Sequence, residues 1–77
     1  MGRYFFDFRE GHRLMRDDEG VELATFDAAR SEVMNSLPAM AAGEILKNGD
    51  RFDFEMIVRN ATGAIMNATL SFAFNRL

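Results

Sequence analysis

Four carboxylates, Asp17, Asp18, Glu19 and Glu22, crowd around Gly20. Converging carboxylate oxygens hold hard cations such as calcium at about 2.3–2.6 Å. The spacing departs from a calcium loop, which needs ligands at alternate positions and a distant bidentate Glu. Acids leading into a glycine are also what a turn requires, because Asp bonds nearby backbone and Gly accepts a left-handed φ. The stretch reads as a solvated turn, with no metal ligand assigned.

His12, the single histidine, follows Gly11 in a loop. A general base needs an orienting partner and usually a nucleophile beside it. Ser31, Ser36 and Ser71 fall on a helix pattern or on the last strand pattern, and no motif brings one to His12. The reading is therefore no catalytic residue, no bound cofactor and no enzyme. Arg9, Arg13 and Arg16 surround the same loop, with Arg3 at the start of the strand that leads to it. Guanidinium forks suit phosphate and carboxylate, and a two-stranded ribbon can enter a DNA groove. These three arginines are the candidate anion or nucleic-acid contacts. Asp7, Glu10, Asp17 and Asp18 can equally pair with them, and a net charge of −3 opposes polyanions and anionic membranes as partners.

The elements that carry these groups announce themselves through phenylalanine. Phe6-Asp7-Phe8, Phe52-Asp53-Phe54 and Phe72-Ala73-Phe74 each place two rings two residues apart, on one face of a strand. Strand patterns cover residues 3–9 and 13–16, with Gly11 between them, and a brief extended piece covers 21–23. From Thr25 the period lengthens. Phe26, Ala29, Val33, Leu37, Ala41 and Ile45 recur every three or four residues, as on one helix face. Thr25 is the expected N-cap, Asp27 and Lys47 suit the two ends of the dipole, and Asn48-Gly49 is a stop signal. Pro38 predicts a kink near Asn35-Ser36, with two abutting helices as the alternative. Alternation returns over 52–59 and 65–74, separated by Asn60-Ala61-Thr62-Gly63.

The expected fold is α+β, β-β-α-β-β, an antiparallel four-stranded sheet with strand one inside it and one kinked helix packed on one face. Small or flexible helix residues (Ala28, Ala29, Met34, Met40, Ala41, Ala42) leave room for the sheet's rings. The other face is read as wetted, with Asp7, Asp53, Glu55, Arg59, Asn67, Thr69 and Ser71. Phe5, Ile57 and Ile65 are its apolar exceptions and form the candidate partner patch, by which a homodimer would assemble if not by an open sheet edge.

Length and composition set the frame. A chain of 77 residues is one domain, 1–77. It has no cysteine, hence no disulfide and no thiolate for zinc, and its 48% apolar content must supply stability by packing. No secretory leader and no run of 18 apolar residues is read, so the expected location is cytoplasmic, away from membranes.

Arg3-Tyr4-Phe5-Phe6-Asp7-Phe8, Gly11, Leu14, Asp17, Glu19-Gly20, Glu22-Leu23 and Ala28-Ala29-Arg30 together carry a resemblance. The chain resembles a domain-of-unknown-function family of very small alphaproteobacterial, rhizobial-type proteins over nearly its whole length. That resemblance implies no activity and no site residue. A weaker one, from the acidic stretch, Gly20 and the helix opening Thr25-x-Asp27-Ala28-Ala29, is to small antitoxins of the HicB type, whose usual Pro-Gly segment is missing here. The functional expectation is a non-enzymatic cytoplasmic interaction or regulatory module acting through protein contacts or self-association. The alternative is a nucleic-acid-associated, antitoxin-like protein using Arg9, Arg13 and Arg16.

Overall fold

Period-two stretches become β1 (Gly2–Glu10), β2 (Arg13–Met15), β3 (Val21–Leu23), β4 (Arg51–Asn60) and β5 (Gly63–Ala73); the period-3.6 stretch becomes α1 (Phe26–Asn48). A computed structural model describes residues 2–48 and 51–77, without the side chains of 45–48 and 51. All pairings among these strands are antiparallel, in the order β2-β1-β4-β5, so strand one lies inside the sheet as expected. The α+β class and the single helix agree with the sequence reading.

The strand count does not. Val21–Leu23, expected to be merely extended, is a fifth strand pairing with Gly2–Tyr4 of β1, while β2 pairs with Phe8–Glu10. Both use the edge of β1 that β4 leaves free. β2 and β3 thus form one interrupted edge strand, in which residues 16–20 face residues 5–7 of β1. Five residues cannot ladder against three, so this segment bulges out of the sheet plane.

The helix starts as expected: the Ala28 amide donates to Thr25 Oγ1 at 3.0 Å, which caps one of the orphan first-turn donors. α1 is one continuous helix through Pro38, which removes the two-helix alternative. The Gly49 part of the stop signal, and the side chains of Ile45 and Lys47, lie outside the described residues. Val33, Leu37 and Ala41 are buried against Phe8, Phe54, Met56 and Val58, and Ala29 is buried one turn earlier. Small helix side chains meet large sheet side chains, as packing density demands. Phe54 stacks on Phe8 (centroids 5.8 Å apart) and on Phe52 (5.9 Å), which couples two of the Phe-x-Phe pairs.

Five expectations about the core fail, two of them at Met40 and Ala42, which are exposed on the helix. Phe74 lies beyond β5 and is 68% exposed, and Phe72 is only half-buried, so the third pair adds neither ring to the buried core. Phe26 is in register with the helix stripe but half exposed at its first turn. Met34 is 67% exposed, because one residue past Val33 is a rotation of about 100° away from the sheet.

Candidate functional site

The bulged segment closes over the face of the sheet away from α1, and Asp7 is where it is fastened. Asp7 is central in β1, 4% exposed, and Arg59 reaches it diagonally from β4. Arg59 Nε donates to Asp7 Oδ2 at 2.7 Å and Nη2 to Oδ1 at 3.1 Å, a bidentate pair. Nη2 also donates to the Asp17 carbonyl at 2.8 Å, and the Asp17 amide donates to Asp7 Oδ1 at 3.0 Å. The Asp17 carboxylate accepts from the Phe6 amide, a ladder donor that the strand break would leave orphaned, and from the amides of Glu19 and Gly20. No buried side-chain polar atom among the described residues is left without a partner.

Gly20 completes the fastening. Its φ is +71°, and a Cβ there would lie 2.9 Å from the Phe5 ring and from Arg3, so only glycine lets the backbone approach this closely. The Arg59 guanidinium sits 4.9 Å above the same ring. Phe5 is therefore half-buried under the bulge. Ile57 lies half-buried between Asp7 and Asn67 on this face. Ile65 falls at the register shift opposite Val58 and Arg59 and packs against the main core cluster. The structure does not bring the three together as one open patch: the bulge covers the first, and the register shift turns the third inward.

Burial alone pushes the Asp7 carboxyl up. The Arg59 hydrogen bonds, the Asp17 amide and the charges of Arg59 and Arg16 outweigh it, so its pKa lies below the ordinary value. Asp17 behaves alike, with the amides of Phe6, Gly20 and Glu19 and the charge of Arg59 overcoming desolvation. The hydrogen bond to Asp7, partly opposed by desolvation, raises Arg59. Folded carboxylates with lowered pKa contribute stability above their unfolded value of about 3.9, and lose it as pH falls through the lower folded values. The urea midpoint is thus expected to drop as pH falls below about 4. A double Asp7→Asn/Asp17→Asn variant should show a shallower acid slope than wild type; an unchanged slope would remove these two carboxylates from the account.

The hairpin arginines do not converge. Arg9 and Arg13 stand opposite Leu14 and Glu10, respectively, which puts them on opposite faces. Arg9 pairs with Glu55 at 3.5 Å and Arg13 with Glu10 at 3.9 Å, while the charge of Arg16 acts on Asp7. Arg3 donates to the Glu19 carbonyl at 2.6 Å and pairs with Glu22 at 3.4 Å, so the acidic stretch serves the turn it was read as. Among the described residues no cluster of three or more His, Asp or Glu could hold a metal ion. His12 and Ser71 line one open cleft of about 500 Å³, yet the Ser71 hydroxyl donates to Asp53 Oδ1 at 2.8 Å and not to the imidazole.

The apolar surface lies on the other side. α1 packs chiefly on β4 and touches both β1 and β5, and between it and β5 runs a groove of about 220 Å³ lined by Val33, Met34, Leu37, Pro38, Ala68, Thr69 and Leu70. Met66, Ala68, Leu70 and Phe72 stay only half-buried there. β5 is also the long open edge of the sheet.

A family model described as a domain of unknown function, DUF6894, matches residues 3–73. The chain belongs to this family. The match runs from the first strand through the last, so in this DUF6894 chain both the Asp7–Arg59–Asp17 fastening and the β5 edge lie within the family's span. No curated protein and no solved structure matches it. No helix among the described residues is long and apolar enough to cross a membrane.

Asp7 and Arg59 are the pair that sequence reasoning missed. Both sat in strands at positions assigned to a wetted face, and the one hint was an acid between two core phenylalanines in a strand expected to be central.

Proposed function

We propose that this DUF6894 chain is a non-enzymatic cytoplasmic interaction or regulatory module of alphaproteobacterial, rhizobial type, working through protein contacts or self-association. The observation that carries it is β5, an open edge strand bordered by a half-covered apolar groove. The polar groups with shifted pKa support the same reading, since Asp7, Asp17 and Arg59 are consumed in holding the bulge to the sheet. The nucleic-acid alternative draws less support, because Arg9 and Arg13 face opposite ways and are already paired with carboxylates. Light scattering of the purified chain, combined with capture from native lysate against an unrelated protein of similar size, tests the proposal. Self-association or a stoichiometric protein partner is expected. A strict monomer that retains no protein, or tight salt-dependent binding to DNA or RNA, would overturn it.

A further inference from the structure

The two edges of the sheet are finished differently. On one side β2 and β3 are three residues each, interrupted by the bulge and bordered by Arg13, Arg16 and Arg3. Short, broken, charged edges are how sheets avoid pairing with another chain. On the other side β5 runs 11 residues, Gly63–Ala73, with no charged residue and no proline. From this asymmetry we infer that the β5 edge is occupied by a second copy of the chain, β5 pairing antiparallel with its counterpart about a two-fold axis. The inference rests on the proposed contact function and names its partner.

Charge argues for a copy of the chain itself. Self-pairing sets each residue type near its own kind, and like charges directly opposite would repel. β5 has none to oppose in a chain of net charge −3. The nearest acids on the strand behind it, Asp53 and Glu55, would face their counterparts across three strand spacings, about 14 Å, beyond the Debye length of about 8 Å. They are further quietened by Ser71, Asn67 and Arg9. Faces match as well: with Met66, Ala68, Leu70 and Phe72 on the α1 side and Asn67, Thr69 and Ser71 on the other, a pairing centred on any residue sets apolar against apolar.

The area suffices. An 11-residue antiparallel edge is about 37 Å long, and one sheet layer about 10 Å thick gives it roughly 370 Å². Met34 and Phe74, each about two-thirds exposed beside or just past it, raise this to roughly 600 Å² per copy. That clears the threshold of about 1,000 Å² in total for a specific interface. The two helices would lie on the same side of an enlarged sheet, with Met34 of each copy closing the gap over the paired β5 strands. Methionine adapts well to such an irregular space.

Sedimentation equilibrium over a concentration series tests this with wild type, Thr69→Lys and Met34→Glu. Both positions are exposed, so the monomer fold is expected to persist, checked by circular dichroism and the urea midpoint. Wild type should be a dimer, and the combined variant should raise the dissociation constant by at least about tenfold. A monomeric wild type, or a dimer indifferent to both substitutions, overturns the β5 interface. The second result would leave self-association itself standing and move it to another surface, whereas a monomer that captures a different protein would keep the contact function and replace its partner.

Discussion

Replacing Arg59 by methionine is expected to strip the Asp7 carboxylate of its counter-ion while keeping most of the apolar stem. A carboxylate 4% exposed cannot recover solvation without opening the bulge. Stranding it is expected to lower stability by about 3 kcal/mol, the low end for buried pairs, because water reaches the outer side of this one. Against a marginal stability of about 5–15 kcal/mol that is a large loss. It would appear as a lower urea midpoint with little change in slope. The double variant Asp7→Leu/Arg59→Met should cost less than the two single changes together, since removing both partners leaves no buried charge. Recovery will be partial: the Asp17 amide loses its acceptor and the Asp17 carbonyl loses its donor, each a desolvated group worth about 1–3 kcal/mol if left unpaired. An Arg59→Met loss below about 1 kcal/mol would place the pair among screened surface ion pairs and sink the fastening.

Why Asp7 was illegible follows from what alternation encodes. Period two assigns a residue to a face, and Asp7 was assigned correctly to the face away from α1. Whether that face is wet depends on what folds over it. Here that is a segment about ten residues on and an arginine 52 residues on. No local pattern carries such a distance. Ile65 fails for a related reason: a register shift between Val58 and Arg59 resets the parity by which it was placed. β3, three residues long, is too short for periodicity to distinguish from an extended linker. What depends on neighbours in sequence was readable: Thr25 as the N-cap, the Ala29–Val33–Leu37–Ala41 stripe, and Phe8 and Phe54 as core. The candidate contact surface was half-readable. The neutrality of β5 is visible in its residues, but its place at the edge, and the groove between it and α1, come from the fold.

The rings were also the basis for expecting a core at all, and they are not equivalent. Phe54→Ala is expected to be the costliest of the single phenylalanine replacements in the Phe-x-Phe pairs. Phe54 is 1% exposed and stacks on both Phe8 and Phe52, so truncation removes its transfer free energy, opens a cavity and breaks two aromatic contacts. Buried Phe→Ala changes cost about 3–5 kcal/mol. The neighbours here have little freedom to collapse inward, since Met56 and Val58 are themselves fully buried and the strand ladder holds the backbone. For a domain of this size, that corresponds to a fall in Tm of roughly 15–35 °C. Phe54→Leu keeps much of the volume and should remain folded where the alanine variant does not, so the ranking can be measured either way. Phe74→Ala, the same residue type in the same motif, should change the stability of the isolated chain by no more than about 0.5 kcal/mol, because that ring is already in water. If Phe54→Ala and Phe74→Ala were equally costly, the core would not lie where the stacked rings place it. An effect of Phe74→Ala confined to dimer affinity would instead tie the exposed ring to the β5 edge.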